Sequence, residues 1–246
     1  MDLLNLSLQI MLKLTIDEGN TSTKVALFKD DELLQKISNV GFEEVINRLK
    51  EADRAILSTV KSNSKYLNLS HSSFLNLDTT TPTPIVNKYS TPSTLGKDRL
   101  ALVVGANHLF PNQNVLVIDL GTCLTYDFLN SEGHYLGGSI SPGLRMRCNA
   151  LHNFTDKLPL VTPTIIPSLI GDTTESSILS GVINGMFSEI DGIIQRYTNK
   201  HPNLKTIITG GDANFFDKGL KNTIFASSDL LMIGLNKILD YNEASF

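Results

Sequence analysis

The sequence has no tryptophan and only two cysteines, Cys123 and Cys148. They form no CxxC pair and keep no company with histidine, so the chain offers neither a disulfide framework nor a zinc site. The five histidines are dispersed, and each reads as a surface or structural residue rather than a catalyst. Lysine and arginine never gather into a run. With a net charge of −4 and a pI near 5.7, the chain lacks the basic footprint of a nucleic-acid partner. No apolar run reaches membrane-spanning length. The opening "MDLLNLSLQIML" carries Asp2 where a signal peptide needs a basic region, so no membrane partner is expected and the chain reads as cytoplasmic. Several motifs are missing too: HExxH, GxSxG and GxGxxG do not occur. In "STLGKDR" the pair Gly96-Lys97 is followed by Asp98 where a P-loop needs Ser or Thr, and the upstream glycine is absent. Metalloprotease, serine hydrolase, dinucleotide and Walker-type readings therefore have nothing to rest on.

What is present is an ordinary globular composition, 41% apolar and 19% charged over 246 residues, enough for one large domain or two small ones. "LKLTID", "STKVALFK" and "ELLQKIS" read as three strands of a meander, turned at Gly19-Asn20 and at Asp30-Asp31. A helical pattern from Phe42 to Glu51 and an apolar strand "RAILSTV" follow. "TTTPTP" at 79–84 cannot lie inside a helix. This alternation predicts an α/β fold. Because Met11 immediately precedes "LKLTID", residues 1–10 are expected to be an extension from an upstream start codon. A second meander, "NVLVIDLGTCLTYDFLNSEGHYLGGSI", begins at Asn114. Adding 102 to each residue number lays the first on the second without a gap, so that Asp17 meets Asp119, Gly19 meets Gly121 and Thr23 meets Thr125. The repeat predicts a duplicated fold with halves at 11–112 and 113–246.

Each meander turns at an Asp-x-Gly corner. Asp and Gly suit any hairpin, but an ordered pair, each following a buried-looking strand, points to a shared task. Glycine lets backbone N–H groups approach an anion closely. Asn20, Thr21 and Thr122 add neutral donors and Lys24 adds a positive charge. Asp17 and Asp119 would repel phosphate unless a cation stood between, and an oxygen-only donor set favours Mg²⁺. The corners thus read as holding a metal-bound nucleotide phosphate.

These corners resemble the phosphate motifs of the acetate and sugar kinase/Hsp70/actin superfamily, and more closely those of the type III pantothenate kinases. Asp17, Gly19, Asn20, Thr21 and Lys24 reproduce that family's Asp-x-Gly-Asn-Thr-x-x-Lys. Asp119, Gly121, Thr122 and Thr125 reproduce its Asp-x-Gly-Thr-x-x-Thr. "YSTPSTLGKDR" is similar to its Tyr-x-x-Pro-x-x-Leu-Gly-x-Asp-Arg, and "GGSISPGLRMRCNAL", "GDTTESSILSG" and "TGGDA" follow in the family's order. Glu18 and Cys123 depart from it, at positions often apolar and often Ala.

The resemblance implies two RNase H-like, actin-like ATPase lobes around a central cleft. It also implies transfer of the ATP γ-phosphate to the primary hydroxyl of pantothenate, the first step of coenzyme A synthesis. By correspondence Asp98 is the proton acceptor, and Tyr89, Gly96, Lys97, Asp98 and Arg99 bind pantothenate. Asp17, Glu18, Gly19, Asn20, Thr21, Ser22, Thr23, Lys24 and Thr122 hold ATP. Asp17 contacts Mg²⁺ through water, and Asp119 binds a monovalent cation, K⁺ or NH₄⁺. A homodimer is implied, with Thr174 completing the neighbour's pantothenate pocket and "TGGDA" on the adenosine side.

Without the resemblance, plainer readings stand beside these. Asp98 and Thr174 both suit helix caps, Arg99 a solvated first turn, and Lys24 an exposed strand position. A small-molecule kinase of the same superfamily, or a nucleotide-binding regulator without catalysis, would share the two corners. The regulator would have no use for Asp98, and the other kinase none for Tyr89–Arg99.

Overall fold

The computed structural model describes residues 11–69 and 71–243. The expected extension at 1–10 lies outside the described residues. The chain forms two compact units. Of the described residues, the first gathers those up to Pro84, the segment Leu95–Ala101 and those from Met232 to Glu243; the second holds Ile85–Thr94 and Leu102–Leu231.

In the first unit β1 (Leu12–Glu18), β2 (Thr23–Lys29) and β3 (Glu32–Ser38) form the expected antiparallel meander. Asp30 takes a left-handed φ of 52° at the β2–β3 turn, a conformation that Asp tolerates better than most residues. α1 (Phe42–Glu51) carries Glu43 and Glu44 in its first turn and Arg48 and Lys50 in its last, the charge order that a helix dipole favours. It buries Val45 and Leu49 against Leu14, Ile16, Val25 and Leu57 of the sheet. β4 (Arg54–Thr59) and β5 (Phe74–Asn76) then add in parallel, giving the order β3-β2-β1-β4-β5.

In the second unit β6 (Val86–Asn87) is a short edge strand. α2 (Lys97–Leu109) begins among first-unit residues and ends in this one. β7 (Val115–Leu120), β8 (Cys123–Leu129) and β9 (His134–Pro142) form the second meander. They are followed by α3 (Leu144–Asn153), α4 (Thr174–Lys200), β10 (Lys205–Thr209), the short α5 (Ala213–Phe216), β11 (Phe225–Ala226) and α6 (Leu230–Tyr241). The sheet runs β11-β10-β7-β8-β9-β6. Without β6 its order β9-β8-β7-β10-β11 repeats that of the first sheet, with β10 and β11 parallel to β7 as β4 and β5 are to β1. The duplication is therefore one of topology as well as motif.

The repeat is not gapless past the corner. Asp17 pairs with Lys24, whereas Asp119 pairs with Thr125. Thr125 therefore takes the place of Lys24, not of Thr23, because the first corner is one residue longer. Side chains alternate faces along a strand, so the one-residue difference decides what stands opposite each aspartate.

α4 presents Ile178, Val182, Met186, Ile190 and Ile194 at four-residue spacing, all buried against Leu116, Ile118, Leu124 and Tyr126. Each such side chain is worth roughly 1.5–3 kcal/mol of burial. The residues from Met232 onward belong with the first sheet for electrostatic as well as apolar reasons. Lys13, buried on β1, pairs with Asp240, and Lys237 pairs with Asp31 and Asp240. A buried ammonium without such a partner would be strongly destabilising. Among the described residues no helix is long and apolar enough to cross a membrane.

Candidate active site

The first corner, residues 19–22, joins the ends of β1 and β2, and the Gly19 N–H donates to the Ser22 carbonyl at 3.1 Å. Neither a positive φ nor crowding within the chain requires glycine at 19. Close approach of something from outside remains as the use of the missing side chain. Asn20 and Thr21 are exposed, and Lys24 stands across from Asp17.

Asp17 is buried, only 6% exposed. Burial pushes its pKa from 3.8 up to about 7; Lys24 opposes the shift, and the Asp98 carboxylate adds to it by like-charge repulsion. Ser58, on the adjacent strand, faces Asp17 and favours its ionised form, although its buried hydroxyl makes no hydrogen bond of standard geometry. Residues 17 and 98, remote in sequence, thus share one electrostatic site within the first unit.

The sign of the Asp17 shift fixes a pH dependence for the metal-free protein. The native state binds the Asp17 proton more tightly than the unfolded chain, so stability falls as pH rises between 3.8 and about 7. The change is on the order of 3–4 kcal/mol for a group this buried. Urea unfolding at about pH 5 and about pH 8 spans the larger part of this window and is expected to show a loss of roughly 2–3 kcal/mol in the wild type and not in Asp17→Asn. Equal pH slopes in the two proteins would contradict the assignment.

Asp98 lies in the first turn of α2 and is not its cap. The Gly96 carbonyl accepts the first helical bond, from the Leu100 N–H at 3.1 Å, and Asp98 Oδ1 accepts the N–H of Arg99 at 2.8 Å. A Cβ at position 96 would fall 2.5 Å from Asp98 Oδ1, so glycine there makes room for the carboxylate. Arg99 is 6% exposed, its aliphatic stem packed over Gly96, and is not the solvated residue of the plainer reading. Lys97 and Gly96 line a groove of about 380 Å³ with Thr59, Lys61 and Ser62.

Glu18 turns its carboxylate toward the loop after β4. Thr59 Oγ1 donates to Glu18 Oε2 at 2.6 Å, and Lys61 Nζ lies 3.5 Å from Oε1. Burial would raise its pKa, but hydrogen bonds from Ser64 and Thr59 and the Lys61 charge outweigh it and hold Glu18 below the usual carboxylate range.

In the second unit Asp119 sits at the end of β7, beside Thr125 of β8 and Thr209 of β10. Three glycines crowd this corner. A Cβ at Gly143 would strike the Thr122 and Gly121 carbonyl oxygens, and one at Gly210 would strike the Leu120 backbone and Asp119 Oδ1. The Asp212 N–H donates to the Leu120 carbonyl at 2.9 Å. Burial raises the Asp212 pKa, with Arg145 opposing. The glycines therefore allow the β9–α3 and β10–α5 connections to pack closely against the β7–β8 corner. Gly143 and Gly210 lay inside quoted motifs, but their packing role depends on loop approaches that spacing does not reveal.

Tyr89 stacks on Tyr135 with centroids 6.1 Å apart and planes at 7°, over Gly137. Tyr135 in turn donates its hydroxyl to the fully buried Asp127 at 2.5 Å. The Tyr89 support, Tyr135 and Asp127, was invisible in the sequence. Thr174 opens α4 without capping it: the Thr173 side chain accepts the Ser176 N–H at 3.1 Å, and the Ser176 hydroxyl closes a capping box. Thr174 is exposed and lines a groove of about 1050 Å³ with Arg147, Thr173 and Ile178. Arg147 is fixed there by Glu189 at 2.5 Å, which also accepts from the Tyr126 hydroxyl at 3.3 Å.

The family model for type III pantothenate kinases matches residues 13–196. A type III pantothenate kinase of Christiangramia forsetii is 47% identical over 241 residues, covering 94% of this chain and 99% of its own. That of Flavobacterium johnsoniae is 44% identical, with 93% and 97% covered. Among solved structures, a conserved Baf-family protein from Campylobacter jejuni superposes with a TM-score of 0.63 at 19% identity, over 94% of this chain and 99% of its own. The activator of 2-hydroxyisocaproyl-CoA dehydratase from Clostridium difficile, with bound ADPNP, gives 0.53 at 11% identity, over 96% and 97%. The structural likenesses establish the duplicated RNase H-like, actin-like ATPase fold. With the family match spanning most of the chain and both corners, the chain belongs to the type III pantothenate kinases.

Proposed function

We infer that the protein transfers the γ-phosphoryl group of ATP to the primary hydroxyl of pantothenate, the first step of coenzyme A biosynthesis. Within the structure, what supports this reading is that Asp98, in the first turn of α2, is near enough to Asp17 for like-charge repulsion to add to the rise that burial gives the Asp17 pKa. The acceptor oxygen attacks the γ-phosphorus, the bond between that phosphorus and the β–γ bridging oxygen breaks, and the hydroxyl proton passes to the Asp98 carboxylate. In a loose transition state the proton leaves late, so a weak base suffices. Tyr89, Gly96, Lys97 and Arg99 are assigned to pantothenate, Arg99 as a bidentate partner of its carboxylate. The residues from Asp17 to Lys24, Glu18 excepted, together with Thr122, are assigned to ATP.

Phosphoryl transfer of this kind requires a divalent metal, and Asp17 fits one. It is a buried carboxylate whose ionised form burial and Asp98 disfavour, and a hard cation would relieve both. Among the described residues no three His, Cys, Asp or Glu side chains converge as an all-protein cage. One carboxylate with waters and substrate phosphates suits Mg²⁺. When bound, the ion would neutralise charge on the phosphates. Asp119, with backbone carbonyls around it, is assigned to K⁺ or NH₄⁺.

A homodimer is part of this reading, with Thr174 reaching the neighbour's pantothenate. Its support is the apolar exposure of Phe154, Leu160, Ile165, Leu169 and Ile170, a stretch that a lone copy leaves in water. A cytoplasmic location completes the reading. Incubation of the purified protein with ATP, Mg²⁺, K⁺ and pantothenate is expected to yield phosphopantothenate, with less when K⁺ is omitted. Absence of product under every condition would favour the regulator.

A further inference from the structure

Glu18 stands one residue before the glycine of the first corner, yet it is buried and its carboxylate is turned away from the corner's exposed residues. Both oxygens are engaged: Oε2 by the Thr59 hydroxyl at 2.6 Å and Oε1 by Lys61 Nζ at 3.5 Å. The Thr59 hydroxyl also accepts the Lys61 N–H at 3.1 Å, and the Val60 N–H donates to the Glu18 carbonyl at 3.3 Å. Ser64, a further partner of Glu18, accepts the N–H of Tyr66 at 3.1 Å. Residues 60–63 are exposed and lie outside any strand or helix, so side-chain bonds of this kind decide where the loop rests.

That loop is one wall of the groove of about 380 Å³ whose other wall is Leu95, Gly96 and Lys97, the immediate neighbours of Asp98. We propose that Glu18 is a positioning residue for the acceptor substrate: by pinning the loop after β4 it sets the groove beside Asp98, and it is not an ATP ligand. A buried carboxylate is costly unless its partners need it. The partners here are Thr59, the last residue of β4, and Lys61 and Ser64 of the segment that follows it, and that segment borders the residues assigned to pantothenate. The inference rests on the kinase reading above.

The test separates the two. Hydrogen exchange of the amides at 60–64, in the protein without substrates, reads the pinning whatever the reaction. Glu18→Val is expected to speed their exchange, to raise the KM for pantothenate about tenfold and to leave that for ATP within about twofold. Glu18→Gln, which keeps an acceptor for Thr59 and loses the Lys61 pair, is expected to fall between. Should Glu18→Val not fold, Thr59→Val removes the donor from the other side and is expected to give the same split. Unchanged exchange overturns the pinning. A rise in the ATP KM equal to that for pantothenate overturns the acceptor role and returns Glu18 to the nucleotide. A wild type that makes no phosphopantothenate sinks the kinase reading, while the exchange result still decides the pinning.

Discussion

Asp98→Asn is expected to lower kcat by a factor of about 10²–10⁴, the usual worth of a general base, while the metal-free protein becomes no less stable. The two effects have separate causes. Asparagine has the same shape, its amide oxygen still accepts the Arg99 N–H, and it occupies the space that Gly96 leaves for Oδ1. The first helical bond, from the Leu100 N–H to the Gly96 carbonyl, does not involve the side chain at 98. What disappears is the proton acceptor, together with the repulsion that raises the Asp17 pKa. Unfolding in urea near neutral pH is therefore expected to show equal or greater stability for the variant. Stability and turnover moving apart is the pattern of a site that holds like charges together for its chemistry. Turnover within a few-fold of wild type would remove Asp98 from the reaction and leave it a first-turn acid favourable to the helix dipole.

The strands were legible because alternation and turn residues specify them locally: the meanders run from Leu12 and from Val115, close to where the patterns begin. The Asp-x-Gly repeat also disclosed the duplication, which the matching strand orders extend. The one-residue difference in corner length was not legible, since equal spacing of Thr23 and Thr125 hides a change in pairing partner. Helix caps shifted for a related reason. Gly96 and Asp98, or Asp172, Thr173 and Thr174, all suit a cap, and propensity does not choose among adjacent candidates. Contacts across long sequence separations were out of reach altogether. The approach of Asp98 to Asp17, the Glu18 partners at 59–64 and the attachment of Asp240 to Lys13 depend on sheet order and register, which no local pattern encodes.

Gly210→Ala and Gly211→Ala, neighbours in one motif, are expected to differ sharply. Gly210 sits at φ 99°, outside what alanine adopts at ease, a strain of roughly 1–3 kcal/mol. Its Cβ would also lie 2.5 Å from the carbonyl carbon and oxygen of Leu120. Those are backbone atoms that cannot swing aside, and such overpacking costs typically 1–3 kcal/mol more. A Cβ at Gly211 meets nothing within 4 Å, so Gly211→Ala is expected to stay within about 0.5 kcal/mol of wild type in urea. The Leu120 carbonyl accepts the Asp212 N–H and adjoins both Asp119 and Gly121. A shift forced at 210 is therefore delivered to the corner assigned to phosphate, and the ATP KM is expected to rise along with the loss of stability. If Gly211→Ala raises the ATP KM at unchanged stability, the turn touches the nucleotide directly. If Gly210→Ala proves as stable as wild type, the β10–α5 connection does not approach β7 as described, and the close packing of the connections around Asp119 falls with it.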